Sequence, residues 1–224
     1  MSQFDRITVY NVILEDGLIP IFYNKDVTTV KKITKALVKG GSRVLEFTNR
    51  GDLAIEVFSD LIKFSMKEYP DLIVGVGTVI DASTAALYLA NGANFIVGPS
   101  FDKETALLCN KRKVAYIPGA ATATEISIAE EFGAEIVKIF RGSTAGGPEF
   151  IKAVLGPMPW SKLMPTGGVT TEEDNIKAWF NSGVACIGVG SKLISNKLIS
   201  EGKYDEITNL TSKVLKLIKS IRKF

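Results

Sequence analysis

The sequence predicts an α/β fold, a single (β/α)8 barrel (TIM barrel), over residues 1–224, with one helix before the first strand. Short apolar runs alternate with longer segments of helical period along the whole chain, and no linker rich in proline, glycine or serine interrupts them. Eight such runs are present, which gives roughly 28 residues per unit (224 divided by eight). This spacing is typical of a barrel of eight strand–helix units.

The strand-like runs are short and rich in β-branched and other apolar residues. In chain order they are Leu18–Phe22, Arg43–Thr48, Leu72–Val76, Phe95–Val97, Val114–Ile117, Glu135–Phe140, Lys162–Pro165 and Ala185–Val189. The predicted helices are Gln3–Glu15, Val27–Lys39, Asp52–Tyr69, Ala82–Asn91, Lys103–Lys111, Ala123–Phe132, Glu149–Leu155, Glu172–Asn181 and Tyr204–Ile221. Several helices are followed by a glycine that also opens the next strand, as is common where a helix ends.

A doubly wound open sheet is the alternative architecture. That fold predicts a strand followed at once by a GxGxxG turn and a helix, where a dinucleotide would bind. The nearest approach in this chain is the four-residue stretch Gly75–Thr78, which reads Gly-Val-Gly-Thr. We therefore favour the barrel.

The charge pattern excludes two classes of partner. The 27 basic and 24 acidic residues are mixed along the chain and give a net charge of +3, so no basic stripe indicates a nucleic-acid partner. Four charged residues interrupt the stretch Met1–Asp16, which suits neither a signal peptide nor a membrane span. The apolar stripe of the last helix is typical of a helix docked on a barrel, and we expect a cytoplasmic protein without a membrane partner.

The composition also limits the chemistry. The chain has no histidine, and its two cysteines, Cys109 and Cys186, lie far apart in sequence. Zinc and iron sites of the usual composition are therefore excluded, as are Ser-His and Cys-His nucleophile pairs. We expect neither a metal nor a cofactor, and carbonyl chemistry through Lys, Glu or Tyr remains.

A lysine lies within the buried strand predicted at Glu135–Phe140. A buried ammonium group without a partner is unfavourable, so Lys138 is a candidate amine nucleophile for a carbonyl substrate. The alternative is a lysine at a strand end that extends its charged head to water. This segment alone favours the second explanation.

Other polar residues lie at or just after the last positions of the predicted strands. Glu46 lies near the end of the second strand, Arg50 just after it, and Thr78 just after the third. Because barrel active sites form at the carboxyl ends of the strands, these residues and Lys138 are expected at one mouth. Taken singly, Glu46 is equally well explained as the carboxylate of a structural ion pair with Arg43 or Arg50.

Two glycine-rich turns follow the seventh and eighth strands, at Thr166-Gly167-Gly168 and Gly190-Ser191. Barrels commonly bind phosphate at this place through backbone N–H groups, which glycine lets approach an anion closely. A helix that starts after Gly190-Ser191 would add its dipole. The sequence thus predicts a phosphate site, which by itself does not identify a reaction.

With these residues considered, the chain resembles the 2-keto-3-deoxy-6-phosphogluconate (KDPG) and 4-hydroxy-2-oxoglutarate (KHG) aldolase family along nearly its whole length. The resemblance is carried by segments in the same order and spacing. They are Gly17–Ile21, Arg43–Arg50, Val74–Val79, Phe95–Pro99, Ile117–Gly119, Val137–Phe140, Met164–Val169 and Ile187–Ser191.

The resemblance implies a trimeric, metal-free class I aldolase, for which Lys138 is the Schiff-base lysine and Glu46 the general acid/base. It also implies that Arg50 and Thr78 hold the pyruvate carboxylate and that Thr166 lies beside the substrate hydroxyls. The remaining implied site residues are Gly167, Gly168, Gly190 and Ser191 at the phosphate, with Pro99 and Phe140 as the apolar wall beside the imine.

The implied reaction is reversible cleavage of KDPG, a phosphorylated keto acid, to pyruvate and glyceraldehyde 3-phosphate, with KHG as a second substrate. One departure from the family pattern stands directly after Phe140, where the chain has Arg141 instead of the usual proline. Two other functions remain open: a phosphosugar isomerase or epimerase without an imine, and a non-catalytic sugar-phosphate-binding protein.

Overall fold

A computed structural model describes residues 3–222, in which nine parallel strands form one barrel inside a layer of helices. The strands are β1 (Leu18–Phe22), β2 (Val44–Thr48), β3 (Ile73–Gly77), β4 (Phe95–Val97), β5 (Ala115–Ile117), β6 (Gly119–Ala120), β7 (Val137–Phe140), β8 (Leu163–Thr166) and β9 (Ile187–Val189). Their order in the sheet is β5-β4-β3-β2-β1-β9-β8-β7-β6. The predicted barrel is confirmed, and the open-sheet alternative is wrong.

The ninth strand, β6, follows the fifth predicted strand directly and is separated from it by Pro118. Proline has no N–H group to donate to a neighbouring strand, so the ladder breaks there. β5 pairs with β4, whereas β6 pairs with β7, and the Lys138 N–H donates to the Pro118 carbonyl at 2.8 Å. The two ends of the sheet therefore meet at this one residue.

The nine predicted helices are present, with small shifts at their ends, and α9 (Asn196–Ser200) is an additional short helix. They are α1 (Arg6–Asp16), α2 (Val27–Lys39), α3 (Ala54–Glu68), α4 (Ala82–Ala90), α5 (Lys103–Arg112), α6 (Ala123–Glu131), α7 (Gly147–Leu155), α8 (Glu173–Asn181), α9 (Asn196–Ser200) and α10 (Tyr204–Arg222). The predicted helix Gln3–Glu15 begins only at Arg6, because the Asp5 side chain accepts from the N–H groups of Ile7 and Thr8 and caps it. The first and last predicted domain residues, at 1, 2, 223 and 224, lie outside the described residues.

Alternation along the strands separates the barrel interior from the layer under the helices. Leu45, Phe47, Val74 and Val76 belong to the large apolar cluster shared with the helices. Their neighbours Val44 and Ile73 belong to a second cluster inside the barrel, as do Phe95, Ile136, Met164 and Cys186. In β2 and β7 this inward face continues, two residues further on, with Glu46 and Lys138.

Helix α1 closes the amino-terminal end of the barrel. Val9, Tyr10 and Ile13 pack into the interior cluster, and the Tyr10 hydroxyl donates to the Tyr116 carbonyl and accepts from the Tyr116 N–H, both at 3.1 Å. The Arg6 guanidinium also donates to the Val114 carbonyl at 3.0 Å. Access from solvent to the interior is thereby confined to the carboxyl ends of the strands.

Helix α10 docks on the outer layer, as its apolar stripe predicts. Ile207, Val214 and Ile218 are buried, and the Thr208 hydroxyl donates to the Ala36 carbonyl of α2 at 3.0 Å. Within residues 3–222, none of the helices is long and apolar enough to cross a membrane.

Candidate active site

Lys138 and Glu46 face each other inside the barrel. The Lys138 Nζ atom lies 3.9 Å from Glu46 Oε1, and only 7% of the lysine side chain and 1% of the glutamate side chain are exposed. The lysine therefore does not extend its head to water. Its ammonium group lies 5.0 Å from the centre of the Phe140 ring, the next inward residue of β7. Two ionisable groups are thus held together in an otherwise apolar interior.

The glutamate is poorly compensated for a buried carboxylate. Neither of its oxygens accepts a hydrogen bond from any residue in the described range 3–222. Burial raises the pKa of Glu46 above the ordinary 4.5, and the positive charges of Lys138 and Arg50 oppose this rise. A carboxyl group in this condition gains and loses a proton more readily near neutral pH than an exposed one.

Gly77 makes room for this carboxylate. A β-carbon at position 77 would overlap Glu46 Oε1 and would lie 2.5 Å from Cδ. Gly188 plays the same part for the Thr166 side chain, since a β-carbon there would overlap Oγ1. The polar side chains of two strands therefore occupy space that glycines on the neighbouring strands leave free.

Arg43 is not the partner of Glu46. Its guanidinium donates to Asp16 and Glu15, at the other end of β2, with 2.9 Å between Nη2 and Glu15 Oε2. Arg50 is exposed and lies in the loop after β2, close enough for its charge to lower the pKa of Glu46. The structural ion pair with Arg43, one of the alternatives for Glu46, is thus wrong.

The loop that carries Arg50 is anchored to β3. The Asn49 N–H donates to the Gly77 carbonyl at 2.8 Å, and the Tyr88 hydroxyl donates to the Asn49 side chain at 2.8 Å. Thr78, directly after β3, has φ = 62°, in the left-handed region where a β-branched residue is rare. The structure thus places Arg50 and Thr78 after the ends of the adjacent strands β2 and β3.

Pro99 lies after β4, and Gly119 of β6 lies between Pro99 and Lys138. Its carbonyl packs so tightly against Gly119 that a β-carbon there would overlap it, and Gly119 is the register partner of Lys138. On the other side of β7, Phe140 pairs in register with Thr166 of β8. The Thr166 hydroxyl is buried and has no hydrogen-bond partner among the residues described.

A cavity of about 550 Å³ opens at this end of the barrel, over β1, β7, β8 and β9. Seven of the predicted site residues line it, namely Arg50, Phe140, Thr166, Gly167, Gly168, Gly190 and Ser191. Lys138, Glu46, Thr78 and Pro99 are not part of its lining. Lys138 is nevertheless adjacent, since Phe140 contacts both the cavity and the amine.

A helix does follow Gly190-Ser191, but it is short and does not begin at once. The chain first makes a turn, in which the N–H groups of Leu193 and Ile194 donate to the Gly190 carbonyl at 2.9 Å. Helix α9 then begins at Asn196 and has only five residues. Any anion at this loop would therefore meet turn N–H groups and not the start of a long helix.

The described part of the chain offers no metal site of the usual kind. Within residues 3–222, no three Cys, Asp or Glu side chains lie close enough together to hold a metal ion. Cys109 and Cys186 are free and buried, and burial raises the pKa of each thiol to about 12.

A family model described as KDPG and KHG aldolase matches residues 9–210, most of the chain. The chain belongs to this family. It is 33% identical over 215 residues to 2-dehydro-3-deoxy-phosphogluconate aldolase of Pseudoalteromonas atlantica, which covers 96% of this chain and 97% of the relative. The KHG/KDPG aldolase of Escherichia coli K12 is 31% identical, with 89% of this chain and 91% of that protein covered.

A solved structure agrees with this assignment. The crystal structure of KDPG aldolase from Legionella pneumophila, with pyruvate captured as a covalent carbinolamine, has a TM-score of 0.82 at 30% identity. The match covers 91% of this chain and 96% of that one. The barrel of this aldolase-family protein is therefore shared with an enzyme that binds pyruvate covalently.

Sequence reasoning missed several residues around the site of this aldolase-family member. Tyr23, Thr48 and Lys192 line the cavity, and Gly77 shapes the carboxylate position. Thr48 and Lys192 each lie within two residues of a predicted site residue, so the strand-end rule applied more widely would have found them. The sequence alone does not reveal the role of Gly77, because that role depends on the Glu46 side chain of the neighbouring strand.

The Gly77→Ala substitution is expected to displace the Glu46 carboxylate. The added β-carbon overlaps Oε1, so the variant should lose about 1–3 kcal/mol in free energy of unfolding and show a longer Lys138–Glu46 distance. Denaturant unfolding and a crystal structure measure the two effects. Gly156→Ala is the control, because the nearest atom to its β-carbon lies at 3.6 Å. A Gly77→Ala structure with Glu46 unmoved would refute the role of this glycine.

Proposed function

We propose that the protein is a cytoplasmic class I aldolase, a single barrel domain over residues 1–224, that reversibly cleaves KDPG to pyruvate and glyceraldehyde 3-phosphate. KHG, cleaved to pyruvate and glyoxylate, is proposed as a second substrate. The observation that carries the proposal is the buried amine of Lys138, 3.9 Å from a carboxylate and beside an open cavity. Family membership and the carbinolamine in the Legionella pneumophila enzyme support the same chemistry. Two buried free cysteines agree with a reducing compartment.

Lys138 is proposed as the nucleophile. Its neutral amine attacks the C2 ketone to give a carbinolamine, and loss of water gives an iminium. The iminium accepts the electron pair of the C3–C4 bond when that bond breaks, which leaves an enamine on the lysine and an aldehyde as the first product. The Phe140 ring, 5.0 Å from the amine, is proposed with Pro99 as the apolar wall of this step.

Glu46 is proposed as the group that moves the protons. As a carboxylate it accepts the C4 hydroxyl proton during cleavage, and as an acid it returns a proton to C3 of the enamine. Hydrolysis of the resulting iminium releases pyruvate and restores the amine. The raised pKa of Glu46 supports both states of this cycle, because its protonated form is accessible closer to neutral pH.

The remaining predicted residues bind and orient the substrate. Arg50 and Thr78, after adjacent strands, are proposed to hold the pyruvate carboxylate, and the unpartnered Thr166 hydroxyl to meet a substrate hydroxyl. The phosphate is proposed to bind the backbone N–H groups of the two glycine turns, at Gly167-Gly168 and Gly190-Ser191, on the cavity wall. Binding energy from this remote anion orients the reacting carbons without touching the bonds that change.

A phosphosugar isomerase or epimerase is the second candidate. It would use the same cavity and Glu46 as a base without any covalent bond to Lys138. The buried lysine 3.9 Å from the carboxylate favours the aldolase, because a reaction without an imine does not need this amine.

Borohydride reduction in the presence of pyruvate separates these candidates. We expect one reduced pyruvate on Lys138, identified by peptide mass spectrometry, and complete loss of the adduct in Lys138→Met. Lys162→Met, which removes an exposed lysine just before β8, is the matched control and should be labelled as the wild type is. If wild-type protein at saturating pyruvate carries no adduct on Lys138, the Schiff-base mechanism is wrong.

Glu46→Gln tests the proton-transfer role. We expect the variant to retain pyruvate capture on Lys138 but to slow cleavage and pyruvate methyl proton exchange by about 10²–10⁴-fold. In the wild type the rate should fall as pH decreases through the pKa of Glu46, above the ordinary 4.5, because the protonated acid cannot accept the hydroxyl proton. This acidic limb should vanish in the variant. Unchanged proton exchange would remove Glu46 from the role.

A homotrimer is proposed as the working assembly, since the family resemblance implies one. Three exposed apolar side chains on consecutive strand–helix units support an interface: Leu53, Ile80 and Leu87 are 66%, 65% and 50% exposed. Light scattering on the purified protein should give three times the mass of one chain. A stable mass of a single chain at micromolar concentration would contradict it.

A further inference from the structure

Arg141 is a cation of the cavity wall that takes no part in the mechanism above. It directly follows Phe140, is exposed, and lines the same cavity as the glycine turns. Its side chain lies across Gly167: a β-carbon at position 167 would be 3.1 Å from Arg141 Nε and 3.2 Å from its Cβ. The arginine therefore extends along the turn that is proposed to bind phosphate.

The backbone around Arg141 is held to that same turn. The N–H of Gly142 donates to the Thr166 carbonyl at 2.9 Å, and the N–H of Ser143 donates to the Gly167 carbonyl at 3.1 Å. The Arg141 carbonyl in turn accepts from Ala145 at 2.9 Å. The base of the side chain is thus fixed relative to Gly167, so only its far end needs ordering when an anion binds.

The charge of Arg141 is available to a ligand. It forms no ion pair with any residue from 3 to 222, and the described residues of the cavity wall include three cations, Arg50, Arg141 and Lys192, but no aspartate or glutamate. A guanidinium group matches two phosphate oxygens at once and keeps its charge at any physiological pH. The charge of the cavity wall accordingly favours an anionic ligand.

The two arginines follow different strands of the barrel. Arg50 follows β2 and acts on the charge of Glu46, beside the reacting lysine. Arg141 lies over Gly167, beyond Thr166, in the turn after β8. In the proposed reaction Arg50 holds the keto-acid carboxylate, which leaves Arg141 for a group elsewhere on the substrate.

We propose that Arg141 is a specificity-determining residue that binds the terminal phosphate of the substrate, together with the backbone N–H groups of the glycine turns. This inference rests on the proposed function. The anion site then combines neutral backbone donors with one permanent positive charge. Phosphorylated substrates are preferred over unphosphorylated ones chiefly through this side chain.

The kinetic test compares KDPG with its unphosphorylated counterpart, 2-keto-3-deoxygluconate. Arg141→Gln keeps much of the packing against Gly167 and removes the charge. We expect the ratio of kcat/KM for the two substrates to fall by about 10- to 100-fold, mainly through KM for KDPG, as for loss of a charged hydrogen bond. Arg141→Lys should restore part of the ratio, because lysine returns the positive charge but not the paired N–H donors of the guanidinium group.

Arg112→Gln is the control for net charge, because Arg112 is an exposed arginine at the last residue of α5. It should leave the ratio as in the wild type. An equal loss for both substrates in Arg141→Gln would overturn the proposal in favour of a structural role. A larger loss for KHG than for KDPG would overturn it in favour of a carboxylate-binding role.

A second measurement does not depend on catalysis. Inorganic phosphate at millimolar concentration should raise the Tm of the wild type and of Arg112→Gln, and raise that of Arg141→Gln much less. Equal shifts in all three proteins would overturn the proposal, even if Arg141→Gln proved less stable. If wild-type Lys138 captures no pyruvate, the proposed aldolase reaction fails, while the phosphate shifts still report separately on Arg141.

Discussion

A carboxylate and an amine share the interior of the barrel, and the arrangement of the site depends on how that pair is accommodated. Taking either charge out of water is costly, and Glu46 receives no hydrogen bond from the residues described. Each group is tolerated because the other lies 3.9 Å away, and the positive charge of Arg50 on the rim further stabilises the Glu46 carboxylate. The same incomplete compensation leaves a proton exchangeable, which is what general acid/base chemistry requires.

Glycines on the inner face of the sheet make this arrangement possible. Gly77 leaves space for the Glu46 carboxylate and Gly188 for the Thr166 side chain, while Gly75 leaves space for the Phe95 ring one layer deeper. A barrel of eight strand–helix units has room for only a few side chains in each layer, so a large group on one strand requires a small one beside it. Helix α1 closes the opposite end with apolar residues, and the polar groups therefore face a single opening.

Two arginines carry positive charge at the opening. Arg50, anchored through Asn49 to Gly77, acts on the charge of Glu46, and Arg141 lies over the turn at Gly167. In the proposed reaction the two would orient a substrate with an acid group at each end. Orientation of this kind accelerates the reaction because it removes the entropy loss from the chemical step.

The sequence by itself determined the barrel, the order of its elements and most of the predicted rim, because period, glycine positions and strand ends are local properties. It also singled out Lys138, since a lysine in a buried run is visible without any partner. Only the tertiary structure decided that Glu46 faces Lys138 and not Arg43, which lies at the opposite end of β2 and binds Asp16 and Glu15. The additional strand β6 after Pro118, the start of α9 at Asn196 and the contact of Arg141 with Gly167 are also visible only in the tertiary structure. The physical reason is that these features depend on which strand lies beside which, and sequence periodicity carries no information about such neighbours.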